Sequence, residues 1–165
     1  MARILLLGKI GQLGWECERT LATLGEVTAL DYPDVDFTKP ESLRGLVAEI
    51  KPQVIYNAAA YTAVDKAESE PEKVRLINAV APGVLAEAAL AVGAVMIHIS
   101  TDYVFDGTKG SPYFEEDAPH PLGVYGQTKL DGELAVSQVG GAYVTLRTSM
   151  VFSSRRDSFV AKVLQ

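Results

Sequence analysis

Short apolar runs alternate along the chain with longer stretches in which apolar side chains recur every three or four positions. The first pattern suits buried strands and the second amphipathic helices. Ile4–Leu7, Val27–Leu30, Val54–Tyr56, Val95–Ile99 and Ala142–Leu146 are the five strand candidates. Gln12–Leu24 reads as a helix that Gly25 ends, and Thr38-Lys-Pro-Glu41 as a capping box opening a helix that runs to Ile50. Pro71 opens a further helical stretch, which Pro82 kinks or restarts and Gly93 closes. A long loop with Gly107, Gly110, Pro112, Pro119 and Pro121 then leads into a helix carrying Tyr125 and Lys129. This alternation predicts right-handed crossovers and an α/β fold: a Rossmann-like, doubly wound parallel sheet with helices on both faces.

Gly8, Gly11 and Gly14 form Gly-x-x-Gly-x-x-Gly between the first strand and the first helix. Such a loop must turn tightly, bring backbone close to two phosphates and let the helix pack on the strand; glycine meets all three needs. The helix N-terminal amides then face a pyrophosphate. An ordinary glycine-containing turn is the alternative. Asp31 ends the second strand about twenty residues on, where a carboxylate accepts bonds from an adenosine ribose and repels a 2′-phosphate. That favours NAD, while Lys9 inside the loop offsets the repulsion and admits NADP. Asp36-Phe37 lies in the following turn, near the expected adenine.

Tyr125 and Lys129 stand four residues apart in Val-Tyr-Gly-Gln-Thr-Lys. A free phenol titrates near 10 and is a sluggish acid-base catalyst at neutral pH. An ammonium one turn away on the same helix face is expected to favour the phenolate, and also to reach a nicotinamide ribose. Ser100-Thr101-Asp102-Tyr103 follows the fourth strand, at the sheet edge where doubly wound folds bind ligands. The Thr101 hydroxyl can bond a substrate oxygen there. A surface Tyr-Lys pair and a plain turn are the alternatives. Taken together, the motifs predict reduction of a carbonyl by NADH or NADPH.

Composition narrows the picture. The 165 residues are 48% hydrophobic and 22% charged, as in an ordinary globular domain. A net charge of −6 argues against nucleic-acid binding, since no basic stripe is present to displace counterions. Cys17, the only cysteine, lies between two glutamates; a reducing, cytoplasmic setting is expected, with no leader and no apolar run long enough to cross a membrane. His98 in its apolar strand reads as a satisfied core histidine, and Asp65, Glu68 and Glu70 as a solvated face. No spacing suggests a metal site. The chain ends at Gln165 inside the helical pattern Phe159-Val-Ala-Lys-Val-Leu, so residues 1–165 are expected to be one dinucleotide-binding domain cut before a further lobe.

Gly-Lys-Ile-Gly-Gln-Leu-Gly, Asn-Ala-Ala-Ala-Tyr-Thr-Ala-Val-Asp-Lys-Ala-Glu, Ser-Thr-Asp-Tyr-Val-Phe-Asp-Gly and Val-Tyr-Gly-Gln-Thr-Lys-Leu, read in order, resemble the extended short-chain dehydrogenase/reductases. Within that group the chain is similar to the dTDP-4-dehydrorhamnose reductase family. The resemblance implies reduction of the C4 ketone of dTDP-4-dehydro-6-deoxy-L-mannose to dTDP-L-rhamnose with NADH or NADPH. It makes Tyr125 the proton donor, Lys129 its tuner and a ribose ligand, and Thr101 a helper at the sugar. Cofactor contacts fall by resemblance on Gly11, Gln12, Leu13, Asp31, Asp36, Phe37, Ala60, Tyr61 and Thr62, and sugar contacts on Thr101 and Asp102. Met150 stands where the family usually has a Trp against the sugar, which bears on the substrate. The family's metal ligands belong to a C-terminal substrate lobe, so none is carried over. A homodimer is one assembly to expect. The alternatives are a nucleotide-sugar epimerase or dehydratase, or a non-catalytic NADP-binding protein similar to the regulatory subunit of methionine adenosyltransferase.

Overall fold

The computed structural model describes residues 1–153 and Val163, so the helical pattern Phe159–Leu164 lies, Val163 apart, outside the described residues. Five strands form one sheet: β1 (Ala2–Leu7), β2 (Gly25–Leu30), β3 (Val54–Asn57), β4 (Val95–Thr101) and β5 (Tyr143–Thr148). Their order is β2-β1-β3-β4-β5, and every pairing is parallel. The expected doubly wound sheet is what the chain builds. In β1 the side chains of Leu5, Leu6 and Leu7 are all fully buried. A strand covered on both faces reads as a continuous apolar run, and each such leucine contributes about 1.5–3 kcal/mol by leaving water. At the sheet edge, β5 leaves Tyr143, Val144 and Leu146 exposed.

The strands outrun their apolar stretches because polar end residues still pair: Ser100 with Arg147, and Thr101 with Thr148. Between them lie α1 (Gln12–Leu21), α2 (Ser42–Ile50), α3 (Val64–Ala67), α4 (Pro71–Arg75), α5 (Ala81–Val92) and α6 (Val124–Val139). Helix α1 stops three residues short of the expected end, and Gly25 instead opens β2 opposite Ala2. The expected capping box does not form. Both the Thr38 N–H and its hydroxyl donate to Asp36 Oδ1, at 3.0 and 2.6 Å, so α2 starts only at Ser42. Helix α3 was not anticipated from the sequence.

Helices α4 and α5 are one continuous rod joined by a π-helical turn, Leu76–Val80, just before Pro82. Contrary to the sequence expectation, Pro71–Val92 is long and apolar enough to cross a membrane by length and composition alone. Its apolar side chains have another use: Val84 and Leu85 pack with Leu5, Leu43, Val47, Ile55 and Met96 in the core.

Candidate active site

Because all five strands run the same way, their carboxyl ends share one edge, and the candidate residues cluster on the loops that leave it. Gly8 leaves β1 at φ +89°, a left-handed conformation that glycine adopts freely. The first turn of α1 rides so close to this loop that a Cβ on Gly14 would lie 1.9 Å from the Gly8 carbonyl oxygen. No side chain caps α1 at Gly11, so the backbone amides of Gln12, Leu13 and Gly14 start the helix without a side-chain acceptor. Gln12 Oε1 is buried with no hydrogen-bond partner among the described residues. A glycine cradle at an uncapped helix N-terminus fits a pyrophosphate.

Asp31 faces this loop. Its Oδ2 accepts the Ile10 N–H at 3.0 Å and its Oδ1 the Tyr32 N–H at 2.8 Å. Each oxygen keeps lone pairs for ribose hydroxyls. Lys9 ion-pairs with Asp34 at 3.5 Å. Asp36 is held by Thr38 and lies beside Lys39, contacts that keep its carboxyl below the usual range. Phe37 packs its ring into the core and so anchors the turn it lies in. We expect Asp31→Ala to raise affinity for NADPH relative to NADH, read by fluorescence titration of each. An unchanged ratio would remove Asp31 from cofactor selection.

The loop after β3 carries Ala60, Tyr61 and Thr62, and a residue that sequence reasoning missed holds it. Asn78, in the π-helical turn, accepts the Tyr61 N–H at 2.8 Å and donates to the Tyr61 carbonyl at 3.1 Å and to Thr128 Oγ1 at 3.4 Å. One buried amide thus ties the loop after β3 to α6. Its signal in the sequence was a lone amide inside Leu76-Ile-Asn-Ala-Val.

The acidic residues expected on a solvated face are partly structural. Glu70 accepts the Tyr61 hydroxyl at 2.6 Å, which pushes that phenol up to about 12. Glu68 Oε1 accepts the Val124 N–H at 2.8 Å and so caps α6 from 56 residues away. Glu68→Ala should cost about 1 kcal/mol in urea unfolding, as for loss of an ordinary helix cap, and Glu68→Gln clearly less. Equal losses in both would mean that the cap is not what Glu68 provides.

Helix α6 brings the chemistry to the edge. It lies close against the turn after β4: a Cβ on Gly126 would sit 2.3 Å from the Tyr103 carbonyl oxygen. The Tyr125 ring meets Tyr103 edge-on, with centroids 5.5 Å apart. Burial pushes the Tyr125 phenol up, the Thr101 hydroxyl opposes this, and Asp102 and Tyr103 add to it. The expected lowering by Lys129 is therefore corrected. The lysine turns its Nζ into the sheet and donates to the Ile99 carbonyl at 2.6 Å; it is 2% exposed, and burial brings it down to about 8.

Thr101 donates to Asp102 Oδ1 at 3.1 Å, and Ser149 Oγ donates to Asp102 Oδ2 at 2.7 Å, joining the ends of β4 and β5. Met150 follows, exposed, at φ 51°. His98 is only half satisfied: Nδ1 meets Asn57 Nδ2 at 3.3 Å while Nε2 finds no partner among the described residues. Burial keeps it neutral. Among the described residues, no group of three or more His, Cys, Asp or Glu gathers as a metal site.

The family described as the RmlD substrate binding domain matches residues 2–165. The chain belongs to this family. A dTDP-4-dehydrorhamnose reductase of Burkholderia thailandensis is 49% identical to this RmlD-family chain over 163 residues, covering 99% of it and 55% of the relative. The reductase of Escherichia coli K12 is 48% identical over 166 residues, covering 98% and 56%. The chain thus spans little more than half the length of these RmlD-family relatives. The crystal structure of the Bacillus anthracis reductase in complex with NADP superposes with a TM-score of 0.93 at 34% identity, covering 99% of this chain and 59% of that one.

Proposed function

We propose that residues 1–165 are the dinucleotide-binding domain of an NAD(P)H-dependent ketoreductase. Its substrate is dTDP-4-dehydro-6-deoxy-L-mannose and its product dTDP-L-rhamnose, with a C-terminal lobe completing the sugar site. The convergence of Tyr125 and Thr101 with the glycine cradle on one sheet edge carries this reading. The reductase names of the relatives, and the NADP complex of one, support it.

A bound reduced nicotinamide supplies the hydride. The chain's own residues bind, orient and supply the proton. Backbone amides of Gln12, Leu13 and Gly14 bind the pyrophosphate, and Asp31 the adenosine ribose. Tyr125, kept protonated at neutral pH by burial, gives its proton to the ketone oxygen as that oxygen gains charge. Thr101 turns its one hydroxyl proton from Asp102 to the same oxygen, and the buried Lys129 holds a positive charge on the Tyr125 face of α6.

The test follows NADPH absorbance after the ketosugar is added to the protein carrying this chain together with the family's C-terminal portion. Consumption with formation of the 4-hydroxy sugar supports the proposal. Tight NADPH binding without consumption would favour the non-catalytic alternative.

A further inference from the structure

Helix α6 presents Tyr125, Lys129 and Glu133 at four-residue spacing, so all three share one face. Glu133 is 8% exposed, and both its oxygens are taken by Arg147 from β5. Arg147 Nε donates at 3.0 Å to Oε1 and 3.2 Å to Oε2, and its Nη2 at 2.7 Å to Oε2. The reductase chemistry proposed above needs neither residue. A carboxylate this buried is costly to desolvate even when paired, so its place one turn from Lys129 asks for a reason.

Lys129 supplies one. An ammonium at 2% exposure loses nearly all its hydration, and the Ile99 carbonyl replaces only part of it. The charged and titratable groups around it are few. On α6 itself they are Tyr125 and Glu133. From β4 comes His98, which is neutral, and from β5 Arg147, itself steadied by Glu115 and stacked over Phe105 at 5.0 Å. Glu133 is the negative charge acting on the ammonium, and Arg147 neutralises part of it.

We infer that Glu133 is a positioning residue that keeps Lys129 charged in its buried site, and that Arg147 sets how much of the carboxylate's field the lysine feels. The inference rests on the reductase reading only for its consequence, that the charge on the Tyr125 face of α6 is maintained at working pH.

The test titrates Lys129 directly, by carbon–nitrogen correlation NMR of the lysine-labelled 165-residue chain, without substrate. Glu133→Gln should lower the Lys129 midpoint by about one pH unit, as for loss of a nearby opposite charge. Arg147→Gln should move it the other way, since it removes a like charge and frees the carboxylate. Glu133→Asp should restore it towards wild type. A purely structural pair would give midpoints that stay put or move together in both Gln variants, and either result overturns the inference. If Glu133→Gln fails to fold, as its amide spectrum would show, the direction of the Arg147→Gln shift decides alone. Opposed shifts in a protein that reduces no ketosugar would uphold this inference while defeating the proposed function.

Discussion

Tyr125→Phe, in the protein that carries this chain with its C-terminal portion, should cut ketosugar reduction by about 10²–10⁴-fold, the usual worth of a positioned proton donor. Cofactor affinity should stay within about twofold, because the ring keeps its edge-on contact with Tyr103 and only the hydroxyl is lost. The raised phenol has a further consequence for pH. The group is protonated through neutrality, so the proton it gives is in place at ordinary working pH and is lost only in alkali. Turnover by the Phe variant near the wild-type rate would assign the proton to another group.

Gly14→Ala should have the second large effect. Its new methyl would lie 1.9 Å from the Gly8 carbonyl oxygen and 3.0 Å from Lys9 Cα, both backbone atoms, so no side chain can swing away. The helix start must move by more than about 1 Å, and overpacking of this kind costs about 1–3 kcal/mol. The displaced amides are those proposed to bind the pyrophosphate, so NADH and NADPH affinity should both fall at least about tenfold. Gly45→Ala is the matched control. It lies within α2 with nothing inside 4 Å of the added carbon, and should gain up to about 1 kcal/mol. Calorimetry and fluorescence titration read both variants. An unaltered melting temperature and affinity for Gly14→Ala would mean that the loop yields where its geometry says it cannot.

What could be read from the residues alone was what depends on neighbours in the chain. The three buried leucines of β1 announce a central strand, and the glycines after them announce a close backbone approach. The spacing of Tyr125 and Lys129 gives their shared helix face. It does not say where a flexible four-carbon stem ends, and the Ile99 carbonyl, thirty residues away, decided that. Glu68 and Asn78 were passed over for the same reason, since their partners lie 56 and up to 50 residues away. The failed capping box has a local cause: Asp36, two residues earlier, takes the Thr38 hydroxyl first. The burial of Phe37 was not legible either, because sequence gives its turn but not the side of the turn its ring enters.

The π-helical turn at Leu76–Val80 changes how this rod tolerates change in length. A wide turn holds one residue more than an α-helical turn, which shifts the angular phase of everything beyond it by roughly 100°. Val74 before it and Leu85 after it, eleven residues apart, would lie within about 20° of each other on an unbroken α-helix; the wide turn sets them roughly 80° apart, and both are buried. Losing a single residue here would restore an unbroken α-helix and leave Leu85 on its core face, so the change would fall on Asn78 and its hold on the Tyr61 backbone. The slack for a one-residue loss is thus held inside the turn, and its harm would stop at the Tyr61 loop that Asn78 holds instead of travelling along the rod.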